Sequence, residues 1–196
     1  MATTRIYANC GLAAAGSALA LLGAPPAAAQ TATPLANPSF EAPGVAVNGH
    51  NGQVTGSIAN SWYDNSGYGD YTALYSLNST NPHGGAACQN IALSAVRSGN
   101  LQMAQTVPLK GGSRYTISVW MRGTPGVLAA MTLQGPPPAY TPYADAWASL
   151  TGAWQQVSAQ GYVPNDAQGA VYVSMNAPGS VCVDDVAVSY APAPAP

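Results

Sequence analysis

Charge is what this 196-residue chain has least of. Only 6% of its residues are charged, against the usual quarter, and it holds one lysine, Lys110, and one glutamate, Glu41. Such scarcity excludes a basic patch, and with it a nucleic-acid or anionic-lipid partner. Long apolar runs are missing beyond the first thirty residues, so no later segment reaches the ~20 residues needed to span a bilayer as a helix. Two histidines, His50 and His83, and three cysteines at scattered positions are too few and too far apart for a zinc site. No G-x-S-x-G elbow and no sustained amphipathic helix pattern occurs.

What is present begins with "MATTRIYANCGLAAAGSALALLGAPPAAAQ", where Arg5 precedes an apolar stretch ending in small residues. Residues 1–29 read as a secretory signal peptide cut after Ala29, with Cys10 part of the leader. The mature chain is then exported, extracellular or periplasmic. It carries four basic side chains against seven acidic ones, a net charge of −3. Its remaining cysteines, Cys88 and Cys182, are an even pair in an oxidising compartment and are expected to form a disulfide.

Residues 30–36 form a short polar lead-in, 37–190 the domain, and 191–196 a Pro/Ala tail expected to stay extended and outside the core. Within the domain the pattern has period two. "RYTISVWMR" puts Tyr115, Ile117, Val119 and Met121 on one face and Thr116, Ser118, Trp120 and Arg122 on the other. "LQMAQTVPL", "VLAAMTLQ", "WQQVSAQGYV", "AVYVSMNA" and "VCVDDVAVSY" alternate likewise, and Gly/Pro turns separate them. Six to nine short strands without helices describe an all-β sandwich.

Six segments in order carry a resemblance: "NPSFE" (37–41), "SW" (61–62), "HGG" (83–85), "LQMAQTVPLKGGSRYTISVWMRG" (101–123), "LTGAWQQVSAQGYVP" (150–164) and "GSVCVDDVAV" (179–188). Together they resemble CenC-type carbohydrate-binding modules of families four, nine and twenty-two. That likeness implies a jelly-roll β-sandwich of the galactose-binding-like fold that binds polysaccharide or oligosaccharide without catalysis. It further implies a structural calcium (Ca2+) held by the first strand's Glu41 and an aspartate of the last strand. Carboxylates gathered at one edge repel, and a hard cation relieves them by taking oxygen ligands. The expected ligands are Glu41, Asp184, Asp185 and an oxygen of Ser39 or of the "HGG" turn. Asp184 alternates with Val186 and Val188 and is the better buried candidate, with the choice between the two aspartates open.

Sugars offer apolar CH faces to aromatic rings and hydroxyls to amides, guanidinium and carboxylate groups. Two tracts supply these. "SWYDNSGYGDYTALY" (61–75) carries Trp62, Tyr63, Tyr68, Tyr71 and Tyr75, and "PPPAYTPYADAW" (136–147) carries Tyr140, Tyr143 and Trp147. Trp120 and Arg122 stand between them on the non-core face of their strand. Trp62 has the alternative role of a plug at the core edge, Trp120 that of a residue under a covering loop, and Trp154 is assigned to packing. Catalysis finds little support: with Glu41, Asp184 and Asp185 on calcium, only Asp64, Asp70, Asp145 and Asp166 remain, all in turn-like segments. The competing reading is a structural or adhesive surface protein that uses the same sandwich without sugar.

Overall fold

A computed structural model of the chain describes residues 29–49 and 52–193. The proposed signal peptide up to residue 28, His50 and the last three residues of the Pro/Ala tail lie outside the described residues. The described chain is almost all strand, and the alternating segments are its frame. In order these are β1 (Thr31–Ala32), β2 (Gly44–Gly49), β3 (Val54–Ala59), β4 (Tyr63–Asp64), β5 (Asp70–Asn78), β6 (Cys88–Ser98) and β7 (Leu101–Leu109). β8 (Ser113–Gly123), β9 (Leu128–Gln134), β10 (Pro142–Ser149), β11 (Gln155–Val163), β12 (Ala167–Met175) and β13 (Gly179–Pro192) follow.

They form two sheets of a jelly-roll sandwich. The larger runs β11-β8-β13-β6-β5-β3-β2, with β1 on β13; the smaller runs β10-β9-β12-β7-β4. Alternation sets which side chains face the core. In β8, Tyr115, Ile117, Val119 and Met121 are buried, as are Val171, Val173 and Met175 of β12 on the facing sheet. Both ends add backbone to the larger sheet. Thr31 and Ala32 of the lead-in pair with Tyr190 and Ser189, and Ala191 and Pro192 of the tail continue β13 along β8. An edge of paired backbone lets even Pro192 sit in a ladder, because proline lacks only the donor.

First and last segments do meet. Phe40 is fully buried against Trp62, ring centroids 4.9 Å apart, and the Val186 N–H donates to the Pro38 carbonyl. Two buried glutamines complete the seam. Gln105 exchanges hydrogen bonds with both backbone groups of Ala36, and Gln89 accepts from Ala59 N–H and donates to the Ser57 and Ser76 carbonyls.

β3 runs parallel to β5, and Gly56 makes that approach possible. Its φ is +106°, and a Cβ there would lie 2.0 Å from the Tyr75 carbonyl oxygen. Gly56→Ala is therefore expected to lower unfolding free energy by about 2 kcal/mol or more, read by urea denaturation.

Candidate functional site

The outer face of the smaller sheet gathers several aromatic residues that the core does not use. On β12, Tyr172 points away from the core between Val171 and Val173. Its cross-strand neighbours are Ala104 of β7 and Thr132 of β9. Beyond Ala104 stands Tyr63 of β4, and beyond Thr132 stands Asp145 of β10. A second row runs Gln102, Ser174, Ala130 and Trp147 across β7, β12, β9 and β10. Small residues thus floor the face while tyrosines and a tryptophan rise from it.

A cleft of about 710 Å³ opens here, lined by Asn65, Gly67, Tyr68, Gln102, Gln134, Pro137, Tyr140 and Tyr172. None of these is charged. The Pro-rich turn after β9 is fixed over it: Gln134 Nε2 donates to the Tyr140 carbonyl (2.8 Å), and Gly135 N–H donates to Thr141 O. Tyr68 stands at the lip, its hydroxyl donating to Asn100 O. Asn65 Nδ2 donates to Gln102 Oε1 at 3.0 Å. Among the described residues this leaves Asn65 Oδ1, Gln102 Nε2 and Gln134 Oε1 without protein partners. Burial, and then the crowding phenols of Tyr63, Tyr140 and Tyr68, holds the Tyr172 hydroxyl above its ordinary pKa. It stays neutral, able to donate and accept. Next to the cleft on the same face, Trp147 is half-exposed, its indole N–H donating to Asp145 Oδ2 (2.6 Å) while Thr132 donates to Oδ1.

Several expected sugar contacts fall elsewhere. Trp62 is buried, and its ring N–H donates to Asn37 O, which makes it the core-edge plug. Tyr71 and Tyr75 are fully buried because β5 alternates Tyr71, Ala73 and Tyr75 onto the core face. Tyr143 packs partly against the core at the bulge of β10 and does not line the cleft. Of the expected rings, then, Tyr68, Tyr140 and Trp147 come together with Tyr63. Tyr172, Gln102, Gln134 and Asn65 were not anticipated; the alternation of "AVYVSM", with Tyr172 opposite in sense to the valines, carried that signal.

Trp120 and Arg122 lie on the outer face of the other sheet, across the sandwich from the cleft. Trp120 is covered by His83, stacked at 3.9 Å between centroids. Arg122 lies over Trp154 at 5.1 Å and donates to Thr80 O, while the Trp154 N–H donates to Asn81 O. These side chains hold the turn between β5 and β6.

Beneath that turn sit the expected metal ligands. β13 carries a bulge between Asp184 and Ala187, and Asp185 has φ +46°. The extra residue flips alternation: Asp184 pairs with Trp120 on the outer face, while Val186 and Val188 enter the core. Asp184 is nevertheless fully buried, because the 79–86 turn covers it. Its oxygens accept three backbone N–H bonds, from Asp185, His83 and Gly84. Burial leads in raising its pKa, with the Gly84 bond opposing. For Asp185 burial also pushes upward, but the Ser39 hydroxyl (2.6 Å) and His83 Nδ1 (2.6 Å) prevail and hold it below the ordinary range. Glu41 accepts from Ala86 N–H, and a Cβ on Gly85 would lie 1.8 Å from its Oε1. Glu41 and Asp185 thus close around the Gly84–Gly85 turn. The donors suit a hard cation in kind, all oxygen, but among the described residues no three acidic, histidine or cysteine side chains converge as a metal site.

Cys88 and Cys182 are bonded, Cα atoms 5.9 Å apart, tying β6 to β13. No described helix is long and apolar enough to cross a membrane.

Residues 35–180 match the family model described as "Carbohydrate binding domain" (CBM_4_9). A search of curated proteins returned no match. Among solved structures, a cyclase from Fischerella sp. TAU aligns with a TM-score of 0.63 at 14% identity, over 85% of this chain and 100% of that one. A structure described as "CBM4 structure and function" aligns at 0.56 and 20% identity, over 79% and 98%. The CBM22-1 xylan-binding domain of Paenibacillus barcinonensis Xyn10C aligns at 0.54 and 13% identity, over 87% and 99%. At such identities the likeness establishes the fold alone.

Proposed function

The chain belongs to the Carbohydrate binding domain family (CBM_4_9), a non-catalytic, carbohydrate-binding assignment, and we propose that it holds a neutral polysaccharide in the tyrosine-lined cleft of the smaller sheet. One observation carries this reading: the cleft walls are aromatic and amide side chains with no charge among them. Tyr172, Tyr140 and Tyr68 offer ring faces to sugar CH groups, and Gln102, Gln134 and Asn65 offer free amide atoms to hydroxyls. Gln102 and Trp147 stand three strand spacings apart, about 14 Å, so the face accommodates a run of several sugars. The cyclase likeness brings no activity, since it reaches the fold only.

Affinity electrophoresis in gels containing neutral glucans, xylans or galactans tests the proposal. Retardation on at least one is expected. Unchanged mobility in all of them favours the structural or adhesive role. Export from the cell belongs to the same reading; the disulfide fits an oxidising compartment.

A structural calcium belongs to it as well. Glu41, Asp185 and Ser39 would supply oxygens to it, with Asp184 retained by its three N–H donors as the anchor of the covering turn. The ion would neutralise acids that the protein otherwise satisfies with His83 and hydroxyl donors. Millimolar calcium is expected to raise Tm and excess chelator to lower it. A transition indifferent to both removes the metal.

A further inference from the structure

We propose that a second pocket, on the outer face of the larger sheet, binds the carboxylate of an acidic monosaccharide, with Arg122 as its anchor. The sugar part of this inference rests on the carbohydrate-binding reading above; the carboxylate part rests on the pocket alone.

The cavity measures about 320 Å³ and is lined by Asn78, Asn90, Arg122, Thr124, Ser180 and Cys182 together with glycines. That is the low end of the ~300–1,000 Å³ typical of ligand clefts, suited to one sugar ring more than to a chain. It lies across the sandwich from the tyrosine-lined cleft and shares no residue with it.

Arg122 is unusual among the basic side chains of the domain. Arg97 pairs with Asp70 and Lys110 with Asp166, while Arg114 is exposed to water. Arg122 is half-buried and has no carboxylate partner among the described residues. Its Nη2 donates to the Thr80 carbonyl, its plane covers Trp154, and its Nε is buried without a hydrogen-bond partner. A guanidinium offers five donors in a fixed fork matched to carboxylate oxygens. Nε is sealed beneath the side chain, so the group left for an anionic acceptor is Nη1, which donates to nothing among the described residues.

The remaining walls suit a hydroxylated anion. Asn78 uses Oδ1 to accept from Thr80 N–H, which leaves its NH2 group as a donor. Asn90 uses Nδ2 on Ser76, which leaves Oδ1 as an acceptor. Thr124 and Ser180 bond one another at 3.2 Å on the rim. A carboxylate for Arg122 and neighbouring hydroxyls for the Asn78 amide and the Asn90 carbonyl are the groups that a hexuronic acid presents. The Cys88–Cys182 bond fixes the floor by joining the two strands that carry Asn90 and Ser180.

Titration of the full exported chain with sodium glucuronate, followed by ¹⁵N NMR of the Arg122 Nε–H and the Asn78 and Asn90 side-chain amides, tests this. Saturable shifts are expected with glucuronate and not with glucose or the methyl ester of glucuronic acid. Arg122→Gln should weaken binding at least tenfold. Asn78→Asp keeps the Thr80 bond and places a negative charge in the pocket, so it should abolish binding without disturbing the turn. Mobility on neutral polysaccharide gels should be unchanged in both variants, which separates this pocket from the cleft. Equal shifts from the methyl ester, or none from glucuronate, overturn the proposal. So do shifts that chloride or sulfate reproduce at matched ionic strength, which would make the pocket a general anion sink.

Discussion

Replacing Tyr172 with alanine is expected to weaken binding of the retained neutral polysaccharide by about 100-fold, or roughly 2.7 kcal/mol. Tyr172 is the central ring of the cleft, flanked by Ala104 and Thr132, and no neighbouring side chain on those strands can take its place. Its loss removes a stacking face and a hydroxyl at once. The cost in stability should stay near ~1 kcal/mol, because the ring lies outside the core. Tyr172→Phe separates the two contributions: it keeps the ring and should cost less than about tenfold, one lost neutral hydrogen bond. Trp147→Ala should cost about tenfold, as its ring lies beside the cleft and not in its wall. Trp120→Ala provides the contrast. It unseats His83 and the turn above Asp184, so Tm should fall while polysaccharide affinity holds. If Trp120→Ala loses binding and Tyr172→Ala retains it, the sugar lies on the other face and the proposed cleft is wrong.

How much of this was legible in sequence depended on whether alternation ran unbroken. β8 was, because nothing interrupts Tyr115, Ile117, Val119 and Met121. The meeting of the first and last segments was also legible, through motifs whose order carried the fold, and Val186 bonded to Pro38 is its physical form. Asp184 shows the opposite case. Counted by twos it belongs with Val186 and Val188, but one extra residue in the bulge reverses its face, and residue types do not announce such an insertion. Its burial was expected, yet the cause is the covering turn and not the core.

The tyrosine tract divides for a different reason: Tyr68 lines the cleft, while Tyr71 and Tyr75 enter the core. Glycines and aspartates around Tyr68 look like a loop, and the regular spacing of Tyr71, Ala73 and Tyr75 was hidden among them. Tyr71 and Tyr75, four residues apart with Ala73 between them, share one strand face, and in this sandwich it is the core face. The cleft's own centre was overlooked for the converse reason: Tyr172 sits in a strand that reads as core. Which ring faces water is decided by the parity of each strand relative to its sheet, and pairing between sheets fixes that parity only in three dimensions.

Removing the disulfide in a Cys88→Ala/Cys182→Ala double variant is expected to lower stability by about 4 kcal/mol, the denatured-state entropy of closing so long a loop. The bridge spans 94 residues of sequence, from the start of β6 to β13. For a domain of this size that loss corresponds to a Tm lower by roughly 10 °C. The loss should also have a place. Cys88 lies one residue beyond the 79–86 turn that covers Asp184 and Trp120, and Cys182 precedes Asp184 by two residues. Hydrogen exchange in the double variant should therefore quicken first at the His83 and Gly84 amides that Asp184 holds, and only later at the Val171 and Val173 amides of the other sheet. A Tm within about 2 °C of the wild type, smaller than a shift of ~1 kcal/mol would give, contradicts the entropic account. Uniform acceleration of exchange across both sheets would instead mean that the bridge restrains the whole sandwich and not the turn above its last strand.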